Sequence, residues 1–151
     1  SNPGVLGGAT PGTYIRDFDG AQRILTWYPV ALAEKMANRE FNDAEDPDIF
    51  AQFNSAYPSW SFDVNGTPQA GRTDLVTVVL HEIGHGLGIT RAYTVDGDNG
   101  TISSLFSGLH LIYDHFLENT AGQNFVQNFP PPSPTLKTQL TSGSVWFRSP
   151  Q

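Results

Sequence analysis

Three residues within five positions carry the clearest chemistry in this chain: His81, Glu82 and His85. Residues four apart on an α-helix lie one above the other on the same face, so His81 and His85 can hold one metal ion. Zinc held in this way lowers the pKa of a bound water towards about 7 and polarises a carbonyl group. Glu82 projects near the same site and can take a proton from that water. The spacing therefore predicts a zinc site with two histidine ligands and Glu82 as the catalytic base.

The residues before the motif favour the helix that this chemistry needs. Thr73 or Asp74 is expected to cap it, and glycines near its end, Gly86 or Gly88, are typical of helix termination. An apolar stripe with helical spacing runs through the segment: Leu75, Val78, Val79, Ile83 and Leu87. The pattern H-E-x-x-H on a helix is typical of zinc peptidases. The leading hypothesis is therefore an endopeptidase that hydrolyses peptide bonds with a metal-activated water.

A third protein ligand is required, because a catalytic zinc normally has three protein ligands and a water. In the longer metzincin pattern the third ligand would fall on Arg91, which cannot bind a cation. Later candidates are His110, His115 and Glu118, although a solvated or hydrogen-bonded side chain is the simpler interpretation of each. Sequence outside this chain is the remaining source, and the third ligand stays open.

A second metal, Ca²⁺, is suggested by the acidic segment Asp96-Gly97-Asp98-Asn99-Gly100. It departs from a calcium loop because its fifth position is glycine and no bidentate glutamate stands at position twelve. A polar turn is the simpler interpretation.

Composition limits the partners. The formal net charge of −7 argues against nucleic acid and against docking on an anionic membrane. No run of about 18 apolar residues is present, so no membrane insertion is expected. The first residues lack the features of a signal peptide. The chain has 15% charged residues, fewer than the usual 25% or so, and a low-charge surface with few lysines is common in exported bacterial proteins. A secreted protein acting on a protein or peptide substrate is expected.

The remaining elements follow from local pattern. Helices are predicted over 29–41, over 73–87, and from Ser103 or Ser104 to about Glu118. Short strands are predicted at 13–18, 24–28, 49–54 and 59–64. Loops are expected at 1–12, 90–103 and 119–135, and 136–147 is ambiguous. Trp60, Phe62 and Val64 alternate on one face, which makes 60–64 a possible edge strand for an extended substrate.

Five segments, taken in order, resemble a group of secreted bacterial zinc metalloproteases: WYPVALA (27–33), FNS (53–55), DLVTVVLHEIGHGLG (74–88), YDHFL (113–117) and LTSG (140–143). The resemblance spans about residues 10–147, and only the zinc motif is individually specific. Many such proteins are large and carry a protease-associated domain. The resemblance implies that His81 and His85 are ligands and that Glu82 is the base. It also implies that the catalytic domain begins earlier and continues further, with the remaining ligand in the later part.

The expected fold is α+β and zincin-like, with a small mixed sheet packed on the active-site helix and on a second helix. It would form a single catalytic domain over residues 1–151, incomplete at both ends and part of a larger chain. Two alternatives remain. One is a non-catalytic metal-binding or adhesion domain that keeps the motif, and the other is a non-proteolytic zinc hydrolase.

Overall fold

A computed structural model describes residues 4–148 as a mixture of short strands and helices. The strands are β1 (Gly7–Pro11), β2 (Tyr14–Ile15), β3 (Thr26–Pro29), β4 (Ile49–Phe53), β5 (Trp60–Ser61), β6 (Thr73–Asp74), β7 (Tyr93–Asp96), β8 (Asn99–Ile102), β9 (His110–Leu111), β10 (Leu117–Glu118) and β11 (Trp146–Phe147). The α-helices are α1 (Val30–Ala37), α2 (Leu75–Gly86), α3 (Phe125–Asn128) and α4 (Pro134–Thr141). The α+β class is confirmed. None of these helices has the length and apolarity to cross a bilayer.

The described chain divides into two compact units, one made of residues 4–14 and 29–89 and the other of residues 15–28 and 90–148. The prediction of a single catalytic domain over 1–151 stays a prediction.

In the first unit, β1 and β4 form an antiparallel pair that runs from Gly7 opposite Phe53 to Pro11 opposite Ile49. Helix α2 packs on both strands. Strand β1 lies within the predicted loop 1–12, so that prediction was wrong. Its Gly-Gly-Ala-Thr-Pro sequence has little intrinsic preference for strand, and pairing with the aromatic and apolar β4 decides its conformation.

Helix α1 starts at Val30, one residue later than the predicted 29–41 segment, with Pro29 as the cap residue at the end of β3. It ends earlier than expected, at Asn38, whose φ of 52° is left-handed and whose N–H bonds the carbonyl of Glu34. The Glu34 side chain accepts a hydrogen bond from the Phe41 N–H, 2.9 Å away. The helix therefore covers only the first part of the predicted 29–41 segment.

The same unit contains a short parallel pair in which Trp60 and Ser61 of β5 lie opposite Thr73 and Asp74 of β6. The predicted alternation of 60–64 was wrong, since Trp60 is buried while Phe62 and Val64 are highly exposed.

In the second unit, a core of buried apolar side chains holds a hairpin and two helices together: Tyr93, Leu117, Phe125, Phe129, Leu136 and Leu140. Strands β7 and β8 pair antiparallel across a Gly97-Asp98 turn, so the predicted loop 90–103 is largely a hairpin. Strand β3 pairs in parallel with β9, and β10 pairs antiparallel with β11. The segment 136–147, which the sequence left ambiguous, contains most of helix α4 and then strand β11. Helix α3 lies within the predicted loop 119–135.

The third predicted helix, from Ser103 or Ser104 to about Glu118, was wrong. Ser103 does cap a turn, but that turn is a 3-10 helix over Ser104–Phe106. Ser107 and Gly108 then take φ values of 51° and 78°, which a continuous α-helix cannot contain. A second 3-10 segment, Ile112–Phe116, follows strand β9. Leu105 is 83% exposed, so the apolar spacing there does not mark a buried helix face.

Candidate metal centre

The helix that carries the motif begins where the sequence places its cap. Asp74 has extended backbone angles, and its Oδ2 accepts a hydrogen bond from the Thr77 N–H at 3.0 Å. Such a cap satisfies one of the N–H groups that a helix start leaves without an internal partner. From there α2 continues without a break to Gly86, so His81, Glu82 and His85 all lie on it.

His81 and His85 point their Nε2 atoms at each other. The two atoms are 3.1 Å apart, and the rings are nearly perpendicular at 87° with centroids 4.7 Å apart. Two nitrogens bound to one tetrahedral zinc at about 2.0–2.1 Å each are separated by about 3.3–3.4 Å. The observed separation, within hydrogen-bonding distance, is also close to that value, so the spacing of the two nitrogens suits a single ion.

The chain reverses immediately after the motif. The Gly88 N–H bonds the His85 carbonyl at 3.0 Å, and the Ile89 N–H bonds the Gly84 carbonyl at 2.9 Å. These two bonds, with Gly88 at a φ of 103°, form a Schellman helix ending. A Cβ at position 88 would overlap the ring of Pro29. Glycine is therefore required at position 88 by both its backbone conformation and its close contact.

This reversal brings the Ile89 carbonyl oxygen to 2.8 Å from Nδ1 of His85. A carbonyl oxygen can only accept a hydrogen bond, so Nδ1 of His85 carries the proton. Nε2 of His85 consequently keeps its lone pair and faces His81. Metal-binding histidines generally have such an outer partner, which fixes their tautomer and ring orientation.

Glu82 lies between the two histidines in sequence and is partly exposed. Within residues 4–148 its carboxylate has no hydrogen-bond or ion-pair partner.

The predicted third ligands have other contacts. His110 Nδ1 is 3.9 Å from a carboxylate oxygen of Asp114, and His115 Nε2 is 3.1 Å from the hydroxyl of Thr26. Glu118 pairs with Arg148 at 3.3 Å. Among the described residues, no three side chains of the His, Cys, Asp or Glu type form a group able to hold a metal. The structure thus brings together His81 and His85, and no third ligand joins them in the part of the chain it describes.

Burial sets the protonation of the histidines in the second unit. It lowers the pKa of His110, and it lowers the pKa of His115 to about 4, with the charges of Arg23 and His110 adding to the effect. Asp114, the carboxylate beside His110, is fully buried and accepts hydrogen bonds from the N–H groups of Leu111 and Ala92. Burial nevertheless raises the pKa of Asp114 to about 7.

The proposed calcium segment is the turn of the β7–β8 hairpin. The ammonium group of Lys137 lies 2.9 Å from the Gly97 carbonyl and 3.2 Å from the Asp98 carboxylate. A cationic side chain therefore contacts two oxygens of this segment, those of Gly97 and Asp98. Residues 97–98 form a turn, and the calcium site stays a prediction.

In the comparison with known proteins, a family model described as SPBPB7E8-like matches residues 2–127. The chain belongs to the SPBPB7E8-like family. No curated protein and no solved structure matches it. The matched residues include all of α2, so the two histidines and Glu82 lie within the SPBPB7E8-like region.

Two contributors to the site in this SPBPB7E8-like chain were missed by sequence reasoning, namely the Ile89 carbonyl and the ring of Pro29 beneath Gly88. The carbonyl belongs to the backbone and leaves no mark on residue type. Gly88 was the available signal: a Schellman ending after a motif histidine predicts a returning carbonyl near that histidine.

Proposed function

We propose that this chain carries the active-site helix of a zinc-dependent peptidase with a zincin-like arrangement. The observation that carries the proposal is the pairing of His81 and His85, with Nε2 atoms 3.1 Å apart and His85 held by the Ile89 carbonyl. The motif resemblance to secreted bacterial zinc metalloproteases supports the same conclusion.

The donors fit zinc. Two imidazole nitrogens at this separation, one of them with its tautomer fixed, are typical of a zinc site on a helix. His81 and His85 would hold the ion, and a third protein ligand comes from elsewhere in the protein. Bound zinc supplies a Lewis acid that acidifies water and polarises a substrate carbonyl.

Glu82 performs the proton transfers. Its unpartnered carboxylate, next to His81 on the helix, accepts a proton from the attacking water and passes it to the leaving amine. The Schellman turn keeps His85 in the tautomer that leaves Nε2 free of a proton. Both roles depend on side chains fixed to one regular helix.

A peptide is the substrate class that the surroundings favour. A cavity of about 720 Å³ follows β1 and β4, the two strands on which α2 packs. Its lining includes residues with little or no side chain, Gly7, Gly8 and Ala9, and the aromatic residues Phe50 and Phe53. Exposed strand backbone offers the hydrogen-bonding groups that an extended peptide needs. Secretion and membership of a larger catalytic domain belong to the same proposal.

One rival has a specific observation in its favour. A non-catalytic metal-binding or adhesion module would explain why Arg91 occupies the third-ligand position of the metzincin pattern and why no group of three ligands forms within residues 4–148. Glu82 argues against it, since pure metal binding has no use for an unpartnered carboxylate beside the pair.

The test replaces the base and keeps the ligands. The comparison is made in the larger chain that supplies the third ligand. There the zinc-loaded wild type, Glu82→Gln and the control Glu45→Gln, an exposed acidic residue of the loop before β4, are assayed on unfolded casein and on fluorogenic peptides. Loss of a general base lowers kcat by about 10²–10⁴-fold, so Glu82→Gln should lose activity while it retains zinc. Glu45→Gln should match the wild type. Zinc binding without hydrolysis by any of the three proteins would favour the non-catalytic module. Hydrolysis of small amides alone would favour a non-proteolytic hydrolase.

A further inference from the structure

A second cavity, of about 650 Å³, lies in the first unit beside strand β5. Its polar lining comes from Ser61, Asp63, Asn65, Gln69 and Arg72, and apolar side chains such as Phe62 complete it. The proposed chemistry at His81, Glu82 and His85 uses none of these residues.

Ser61 gives the first indication of a ligand. The residue is 3% exposed, and within residues 4–148 its hydroxyl oxygen has no hydrogen-bond partner. Buried hydroxyl groups are nearly always hydrogen-bonded, because burial without a partner is unfavourable. A polar group entering the cavity would satisfy the Ser61 hydroxyl.

Arg72 identifies the kind of group. One guanidinium nitrogen of Arg72 donates a hydrogen bond to the Trp60 carbonyl at 3.2 Å. Trp60 directly precedes Ser61 in the sequence, so the guanidinium group is held at the backbone beside Ser61. Arg72 forms no ion pair with any residue of the 4–148 range. Its other N–H donors remain available, and their planar arrangement matches the two oxygens of a carboxylate.

The acidic residue of the same cavity does not neutralise Arg72. Asp63 accepts a hydrogen bond from the Asn65 N–H at 2.8 Å, which holds its carboxylate in the local turn. Guanidinium, hydroxyl and amide groups lining one cavity are the donors that recognise a carboxylate.

The cavity is also at a suitable distance from the candidate centre. Ser61 lies opposite Asp74, the residue that caps α2. Seven residues separate Asp74 from His81, which is about 10 Å along the helix axis. An extended peptide covers that length with about three residues, at about 3.3 Å each.

We propose that this cavity, with Arg72 and Ser61 as its main donors, binds a carboxylate group of the peptide substrate. The substrate assignment rests on the proposed peptidase function. A carboxylate can come from the C-terminus of the peptide or from an acidic side chain, and the two have the same recognition chemistry.

The experiment is an NMR titration of the full, zinc-free chain with three small probes. N-acetylglycine presents a terminal carboxylate, N-acetylaspartate α-amide presents a side-chain carboxylate, and N-acetylglycinamide presents none. At least one carboxylate probe should shift the Arg72 Nε–H and Trp60 indole signals, and the neutral probe should not. Whichever carboxylate probe binds more tightly identifies the source.

Variants assign the binding to this cavity. Arg72→Gln should weaken the binding of the preferred probe by about 10–100-fold, the usual effect of losing charged hydrogen bonds. Ser61→Ala should weaken it less. Arg39→Gln is the matched control, since Arg39 is exposed and lies over the ring of Phe41, 4.5 Å from its centroid. Circular dichroism checks that each variant is folded.

Equal shifts with the neutral probe, no shifts with any probe, or unchanged binding by folded Arg72→Gln would overturn the proposal. Because these titrations need neither zinc nor Glu82, their failure would leave the result of the Glu82→Gln assay unaffected. Likewise, failure of the Glu82→Gln assay would leave the result of the titrations unaffected.

Discussion

Nδ1 of His85 lies 2.8 Å from the carbonyl oxygen of Ile89, four residues further along the chain. The turn that ends α2 therefore also sets the tautomer of one member of the metal pair. Gly88 makes the turn possible, because its φ of 103° strongly disfavours any side chain. Metal affinity should thus depend on a residue that offers no ligand atom.

Replacing Gly88 by alanine tests this dependence. The added Cβ meets the ring of Pro29 in an already unfavourable conformation, so Gly88→Ala should lower the free energy of unfolding by about 1–3 kcal/mol. The displaced Ile89 carbonyl should reduce zinc affinity by about 10–100-fold. Urea unfolding and calorimetric zinc titration measure the two effects.

Gly66→Ala is the control for Gly88→Ala. Gly66 also has a positive φ, 74°, but nothing lies within 4 Å of where its Cβ would be. This variant should lose about 1–2 kcal/mol from backbone strain alone and bind zinc normally. Unchanged zinc affinity in Gly88→Ala would mean that the Ile89 carbonyl does not matter to the site.

Two glycines within α2 should respond differently to alanine. A Cβ at Gly86 would overlap Ile49 of β4, so Gly86→Ala should lower the free energy of unfolding by about 1–3 kcal/mol. A Cβ at Gly84 would lie 3.3 Å from the terminal carbon of Ile89, which can move. Better helix propensity, worth up to about 1 kcal/mol, should make Gly84→Ala neutral or slightly stabilising. Equal stabilities of the two variants would contradict the close packing of α2 on β4.

Ile49→Ala provides a further check on that contact. It removes the side-chain atoms that a Cβ at position 86 would overlap. The double variant Gly86→Ala/Ile49→Ala should therefore lose less stability than the sum of the single variants, by about 0.5–3 kcal/mol. Strict additivity would indicate that the two residues are not in contact.

His115 should make stability depend on pH. Burial lowers its pKa to about 4 in the folded chain, whereas the unfolded value is about 6.5. Between these values the unfolded chain binds more protons, so the free energy of unfolding falls as the pH drops from about 6.5 to about 4. His115→Gln removes this contribution, and its stability relative to the wild type should improve over that range. Urea unfolding at pH 7 and pH 4.5 measures the difference.

Asp114 changes the free energy of unfolding with pH in the opposite direction, because burial raises its pKa to about 7. Asp114 is present in both the wild type and His115→Gln, so its contribution cancels when the two are compared. Thr26→Val serves as the control, because it removes the hydroxyl partner of His115 and leaves the burial that causes the shift. It should keep the wild-type pH dependence. An identical stability difference between wild type and His115→Gln at both pH values would contradict a lowered His115 pKa.

The motif helix was predictable because its signals are local and agree. Asp74 as the cap, the apolar stripe and the four-residue spacing of the histidines all favour one helix, and α2 runs from Leu75 to Gly86. The start of α1 was predicted to within one residue, because Pro29 marks it locally.

The elements that were predicted wrongly depend on contacts between residues distant in sequence, or on glycines whose backbone conformation ends a helix. Strand β1 is fixed by pairing with β4, more than 35 residues away, and its glycines give no local indication. The helix predicted from Ser103 or Ser104 to about Glu118 ran through Gly108, whose positive φ ends any helix there. The third ligand was not predictable, because neither spacing nor the described contacts bring another metal-binding side chain to His81 and His85.

Calorimetric titration of the full chain with zinc tests the central claim most directly, with the wild type compared with His81→Ala, His85→Ala and the control His110→Ala. We predict that the wild type binds zinc and that His110→Ala, whose imidazole forms no metal-binding group with the pair among the described residues, binds it equally well. Each of the other two substitutions should weaken binding by more than about 100-fold, beyond the effect of losing an outer hydrogen bond. Wild-type zinc affinity in folded His81→Ala and His85→Ala would contradict the metal centre and, with it, the proposed peptidase.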